Sequence, residues 1–449
     1  MKNELALTLA AAAALLGSAP VAGQAPRATD REITRAVDSL VARVMASGLT
    51  PGLGVAIARD GRTIYTKAWG WADASQRIPA DERTLWYVAS TSKSYTGFGI
   101  SLLAQQGRLK LDAPIATLLP GVRWPEGIDP SRLTLAQFLS HTHHLNDNAV
   151  VQSAAFTGAI PEARWPELIR FAVPRNDTDL VYSNFGYNVA AMVIDRLQPE
   201  GWRRFLDSAV YRPAGLRETY ARVSGLDPRR IAKPHDFGPG DSFVSRPFEK
   251  TDATMNSAGG HVATLRDLAR WAIVQMDSGK IDGKQVFPKE AVALSRRLIA
   301  RHTVEQSKRW AVFVREGWGA GWDLGNYLGE PMVSRFGGYS TIRSHLSMLP
   351  GRRIGVIAQA NGVGGNPVSD IIAALVYDLD AGRPYARDTA AARVNGVLSQ
   401  AGPFRARSAA TDSVRRTRQR PLGRPLEEFA GSYENEAFGT LVFVLRDGA

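Results

Sequence analysis

Leu85-Trp86-Tyr87-Val88-Ala89-Ser90-Thr91-Ser92-Lys93 is a strand-like apolar run that passes directly into a helix-forming one. Residues 91–106 read as a helix that Gly107 ends, and its apolar members Tyr95, Phe98, Ile100, Leu102 and Leu103 spread over much of its circumference, as in a buried helix. Residues three apart on a helix share a face, so Ser90 and Lys93 stand side by side. Ser90 also sits where the helix begins, among free backbone N–H groups and the positive end of the dipole. A serine hydroxyl is a poor nucleophile until its proton is taken, and a lysine takes it once burial or a neighbouring cation lowers its pKa. Ser92 shares the turn but has Tyr95, not a lysine, three residues on.

Working outward, the flanks alternate between strand and helix patterns. Residues 31–48 carry Ile33, Val37, Leu40, Val41 and Val44 at helical spacing. Residues 53–58 and 63–71 read as two strands joined at Asp60-Gly61, a hairpin dipeptide. Residues 112–330 read mostly as helix and loop, with one clear amphipathic helix over 265–276 capped by Thr264. Strand patterns return at 343–348 and 354–358, and residues 371–379 read as a closing helix. Strands at both ends with helices between predict an α+β fold, an antiparallel sheet built from both ends of the chain and covered by helices.

Composition bounds the rest. The 449 residues are 44% hydrophobic and 22% charged, ordinary values for a chain with a sizeable core. Cysteine is absent, which excludes disulfides, thiol catalysis and cysteine-ligated metals. The formal charge is +12, and much of the excess lies in Arg405, Arg407, Arg415, Arg416, Arg418 and Arg420. No nucleic-acid-binding motif accompanies these arginines, so no nucleic-acid partner is expected; peripheral attraction to an anionic cell envelope is the alternative use of the charge. Residues 1–23 have a short positive start, a compact apolar run and small residues at Val21-Ala22-Gly23, the pattern of a cleaved signal peptide. That places the mature chain in the periplasm or outside the cell. The apolar run is too short for a transmembrane span. Residues 31–380 are expected to form the main domain, 381–425 an Arg-, Ala- and Pro-rich linker without clear period, and 426–449 the first strands of a truncated small β domain.

Two further motifs complete the chemistry. Tyr182-Ser183-Asn184 offers a tyrosinate that would serve as a base beside two cations, and an amide to orient a lysine or a substrate amide. Arg335-Phe336-Gly337-Gly338 precedes a late strand, with glycines that let a ligand approach the backbone and a cation for an anionic substrate group. His141-Thr142-His143-His144 places three histidines in four positions, but no acid or cysteine beside them closes a metal site, and neither a metal nor a cofactor is expected. His261, His302 and His345 have no Gly-x-Ser-x-Gly elbow to serve.

Taken together and in order, these motifs resemble the serine β-lactamase and penicillin-binding protein superfamily, and more closely its class C β-lactamase-like branch of esterases, D-specific peptidases and amidases. Leu109-Lys110-Leu111-Asp112-Ala113-Pro114, Phe138-Leu139-Ser140-His141-Thr142, Ser183-Asn184-Phe185-Gly186-Tyr187-Asn188 and Ser257-Ala258-Gly259-Gly260 match further anchors, so the similarity runs from about residue 35 to 380. The resemblance implies a Ser90 acyl-enzyme, general-base work shared by Lys93 and Tyr182, positioning by Asn184, and an oxyanion hole from the backbone N–H groups of Ser90 and Gly338. It implies ester, amide or peptide substrates, with esterase or peptidase activity ranked above β-lactam hydrolysis. The chain departs from the family in two places. Arg335 stands where Lys or His is usual and cannot shuttle a proton, and His143-His144 replaces a usual Ser-Gly. The alternative these departures support is a catalytically weak acyl-binding or sensor protein on the same fold.

Overall fold

The computed structural model describes residues 26–177, 179–307, 312–417 and 423–446. The signal peptide read over residues 1–23 lies outside them. Six helices organise the chain: α1 (Asp30–Ala46), α2 (Lys93–Gln105), α3 (Phe185–Leu197), α4 (Leu265–Met276), α5 (Gly365–Asp380) and α6 (Ala386–Arg416). Nine strands form one sheet: β1 (Gly52–Arg59), β2 (Arg62–Asp73), β3 (Ile78–Pro79), β4 (Ala300–Arg301), β5 (Phe313–Trp318), β6 (Asp323–Tyr327), β7 (Glu330–Tyr339), β8 (Ile342–Leu349) and β9 (Ile354–Ala360).

The sheet runs β4-β5-β6-β7-β8-β9-β1-β2-β3 and is antiparallel throughout. It is thus two meanders, one from each end of the chain, joined where β9 lies against β1. At that seam Leu53 faces Ala360 and Arg59 faces Ile354. Every residue of β1 is buried because both faces of the sheet are covered. Leu53, Val55 and Ile57 pack on one side with α1 and α5, while Ala56 and Ala58 pack on the other with α4 and the helical region. The period-2 pleat sends alternate residues to opposite faces, so a doubly covered strand is apolar throughout. The Asp60-Gly61 turn has positive φ at both positions, 49° and 81°, the geometry that a two-residue hairpin favours.

Local signals set the helix ends. Thr29 and Glu32 form a reciprocal capping box at α1. The Thr264 side chain accepts from Asp267 N at the start of α4, a contact worth about 1 kcal/mol.

The structure corrects two expectations. The middle of the chain contributes strands as well as helices, since β5 and β6 fall inside residues 112–330. Both are short and carry glycines (Gly317, Gly325), which blur the alternation that marks a strand. Most of the segment read as a linker is α6, which packs on α1 and α5 through Ala386, Ala390, Val394, Val397, Leu398 and Ala401. That stripe has helical spacing, but half of it is alanine, whose methyl gives little contrast with the polar residues around it. Beyond it, Gly431–Asn435 and Gly439–Phe443 form a two-stranded hairpin whose apolar residues Tyr433, Leu441, Val442 and Phe443 are exposed. No helix among the described residues is long and apolar enough to cross a membrane.

Candidate active site

Ser90 lies in a single 3-10 turn, Ala89–Ser92, that leads into α2. A small three-stranded sheet fixes the entry: Trp86–Tyr87 pairs with Val262–Ala263, which pairs in turn with Thr219–Tyr220. Ala89, just before the serine, has φ 44°, a left-handed conformation that a non-glycine residue holds only when its surroundings enforce it. Thr91 is tied across to β8, 3.0 Å from Ser344 Oγ. The turn therefore cannot drift relative to the large sheet.

The motifs separated in sequence meet here. Tyr182 Oη is 2.6 Å from Ser90 Oγ, and Lys93 Nζ is 3.3 Å from Ser90 Oγ and 2.6 Å from Tyr182 Oη. The amine also donates to Asn184 Oδ1 and to the Ala258 carbonyl, each at 2.7 Å. Lys93 is completely buried. Burial first, and then the Arg335 cation, lower its pKa well below that of an ordinary lysine, while Asp323 opposes them. A neutral amine has two N–H bonds and one lone pair. The two carbonyl oxygens can only accept, so they use both N–H bonds and leave the lone pair facing the hydroxyls of Ser90 and Tyr182.

Tyr182 presents 44% of its surface to solvent, yet its hydroxyl points inward to this cluster. Burial of that hydroxyl raises its pKa, and Arg335 and the Ser90 hydrogen bond pull it back. The balance keeps the neutral phenol, whereas the sequence reading used a tyrosinate. The tyrosine is held from below by His141, whose ring centroid is 4.8 Å away and whose Nδ1 accepts from Ser183 N at 3.1 Å.

Arg335 is held as firmly as Lys93. Its side chain is 4% exposed. Nε donates to the Ser90 carbonyl at 2.9 Å and Nη1 to Asp323 Oδ2 at 2.6 Å, while Nη2 is 3.5 Å from Tyr182 Oη. Its plane lies 4.6 Å from the Trp318 ring centroid. The substrate-facing cation read from the sequence is instead an internal brace between β6, β7 and the nucleophile's turn. Gly337 abuts the same turn: a Cβ there would stand 2.2 Å from the Val88 carbonyl oxygen and 3.0 Å from Ser90 N. Gly338, one residue on, is exposed.

The histidine loop does not converge. His141 supports Tyr182, His143 stacks on Phe138 at 4.9 Å, and His144 is 3.4 Å from Asp177. Three parts of the site carried no sequence signal. The Ala258 carbonyl is a backbone group, Asp323 is a lone acid far from any motif, and Trp318 is one of ten tryptophans.

Comparison with known proteins gives the family of the chain. The Beta-lactamase family model matches residues 37–381. The chain belongs to the Beta-lactamase family. Among curated members of this superfamily, penicillin-binding protein 4 of Amycolatopsis lactamdurans is 24% identical over 319 residues, 70% of this chain and 81% of its own length. Protein flp of Staphylococcus aureus strain MW2 is 20% identical over 54% of this chain, and the match spans 48% of flp. Solved structures share the β-lactamase and transpeptidase-like fold. The octameric penicillin-binding protein homologue from Pyrococcus abyssi superposes with a TM-score of 0.64 at 21% identity, over 77% of this chain and 76% of its own. D-amino acid amidase from Ochrobactrum anthropi SV3, complexed with D-phenylalanine, gives 0.62 at 19% identity, over 82% of this chain and 99% of its own.

Proposed function

We propose that this β-lactamase-like protein is an acyl-transfer hydrolase that works through a Ser90 acyl-enzyme. The observation that carries the reading is the buried Lys93 amine, 3.3 Å from Ser90 Oγ and 2.6 Å from Tyr182 Oη. Lys93 takes the Ser90 proton as Oγ attacks the acyl carbon, and negative charge develops on the carbonyl oxygen. The backbone N–H groups of Ser90 and Gly338 receive that charge. Tyr182 then relays the proton from Lys93 to the leaving group, which departs as alcohol or amine. In the second half, Tyr182 takes a proton from water as it passes its own to Lys93, the hydroxide formed attacks the acyl carbon, and Lys93 returns the proton to Ser90 Oγ as the acid departs. Asn184 and Ala258 hold the lysine; Arg335 and Asp323 hold the turn and set the local potential.

The substrates that fit this reading are esters and amides, D-amino acid or peptide derivatives among them, ahead of β-lactams. The compartment proposed with it is the periplasm or the outside of the cell. Hydrolysis of a short-chain p-nitrophenyl ester by wild type and Ser90→Ala tests the assignment. Sustained turnover that falls by several orders of magnitude in the variant is expected. Equal rates in the two proteins would overturn it. A stable acyl adduct on Ser90 without turnover would favour the acyl-binding alternative that the Arg335 substitution raises.

A further inference from the structure

On the face of the sheet away from Ser90, β5 and β7 meet α5 and α6 around a cavity of about 660 Å³. That size is typical of sites for small organic ligands. Its body is apolar, formed by Phe313, Phe336, Ile371, Ala374 and Val397, and it lies open on one side. Arg315 and Arg393 stand on its wall with one carboxylate, Asp370.

That carboxylate is already engaged. Asp370 Oδ1 lies 2.7 Å from His345 Nδ1, and His345 Nε2 lies 2.7 Å from Ser347 Oγ. This chain has the connectivity of a catalytic triad but not its access. Ser347 is completely buried, and its hydroxyl is also 2.7 Å from Tyr377 Oη. The chain acts as a strut that fixes Asp370 and the adjoining Phe313 and Phe336 rings, which pack 5.3 and 4.7 Å from the His345 ring. The wall thus carries two guanidinium groups and one committed carboxylate over an apolar floor; Arg315 also has Asp323 Oδ1 at 3.9 Å, and that carboxylate is shared with Arg335. Arg315 lies 4.3 Å over the Phe336 ring and is partly buried, where the attraction of an anion is screened less than at an open surface.

We propose that this cavity is a second binding site, distinct from the Ser90 centre, for an amphipathic carboxylate: an aliphatic chain among Phe313, Phe336 and Val397, with its carboxylate between Arg315 and Arg393. Guanidinium groups match carboxylates in geometry as well as charge. The site needs no turnover at Ser90.

Titration calorimetry of the full chain with decanoate, decanol and decylamine tests it. One decanoate per chain is expected, with decanol at least about tenfold weaker because the charge-assisted hydrogen bonds are lost, and decylamine weaker still. Gly396 lines the cavity, and a Cβ there meets no atom within 4 Å, so the backbone admits a side chain at this position and Gly396→Trp places an indole at the cavity wall. This variant should bind decanoate more than about tenfold more weakly, with its thermal unfolding and p-nitrophenyl ester turnover unchanged. Should it fail to fold, Arg393→Glu on the partly exposed helix face repeats the test by charge and should give a similar loss. Decanoate that fails to bind wild type, binds no better than decanol, or binds the folded variant as well as wild type would overturn the proposal.

Discussion

Asp323→Asn is nearly isosteric, yet it should be among the most damaging single changes in the sheet. Asp323 and Arg335 are 1% and 4% exposed at the side chain and meet at 2.6 Å. With charge centres about 4 Å apart and an effective dielectric near 20, their attraction is about 4 kcal/mol. Removing one partner leaves a buried cation uncompensated, and such changes cost about 3–5 kcal/mol. An asparagine oxygen still accepts a hydrogen bond, but it does not neutralise Arg335. The other Asp323 oxygen lies 3.9 Å from Arg315, so a second, partly buried cation loses support too. Urea unfolding of wild type, Asp323→Asn, Arg335→Met and the double variant gives the coupling directly. The double variant should lose clearly less than the sum of the singles, because its pair leaves together. A loss below about 1 kcal/mol in Asp323→Asn, or strict additivity, would refute the brace.

Three other outcomes follow from the same geometry. If Lys93 must be neutral to act, ester hydrolysis has an acid limb set by its lowered pKa; Arg335→Met should move that limb to higher pH and Asp323→Asn to lower pH, because Arg335 lowers the lysine's pKa and Asp323 raises it. Gly337→Ala should cut kcat by more than about a hundredfold in the same assay while the protein stays folded, because its methyl meets the Val88 carbonyl and the Ser90 N–H proposed to stabilise the oxyanion. Burial lifts the Asp147 carboxyl to about 7, so its contribution to stability is present at acid pH and is lost as pH rises through about 7. Asp147→Asn keeps the cap on Val150 and should be more stable than wild type at pH 8 by roughly 1–3 kcal/mol, with the difference shrinking on acidification in urea titrations.

The meeting of Ser90, Lys93, Tyr182 and Asn184 was legible because the proposed chemistry requires fixed residue types at fixed spacing. Ser90 and Lys93 share one helix turn, and Tyr182 and Asn184 come as a unit. The α+β architecture was equally legible, since β1, β2, β8 and β9 keep uniform or alternating apolar patterns. What stayed hidden depends on tertiary partners. Arg335 read as a ligand for substrate because nothing near it in sequence announces Asp323, twelve residues upstream on another strand. The α6 helix read as a linker because its contact stripe is half alanine. His141 stood out as part of a histidine cluster, but its use is to hold the Tyr182 loop.

The β9–β1 seam has a consequence for how the molecule comes into being. Its central strand pair joins residues from opposite ends of the domain, so every intervening residue belongs to the loop that its closure must bring together. High contact order of this kind slows folding. Until Ile354–Ala360 is available, β1 and β2 form a hairpin with one long apolar edge unpaired, the kind of edge that templates aggregation. During synthesis the N-terminal strands must therefore wait, and the last strand of this sheet to be made seals its interior, not its border.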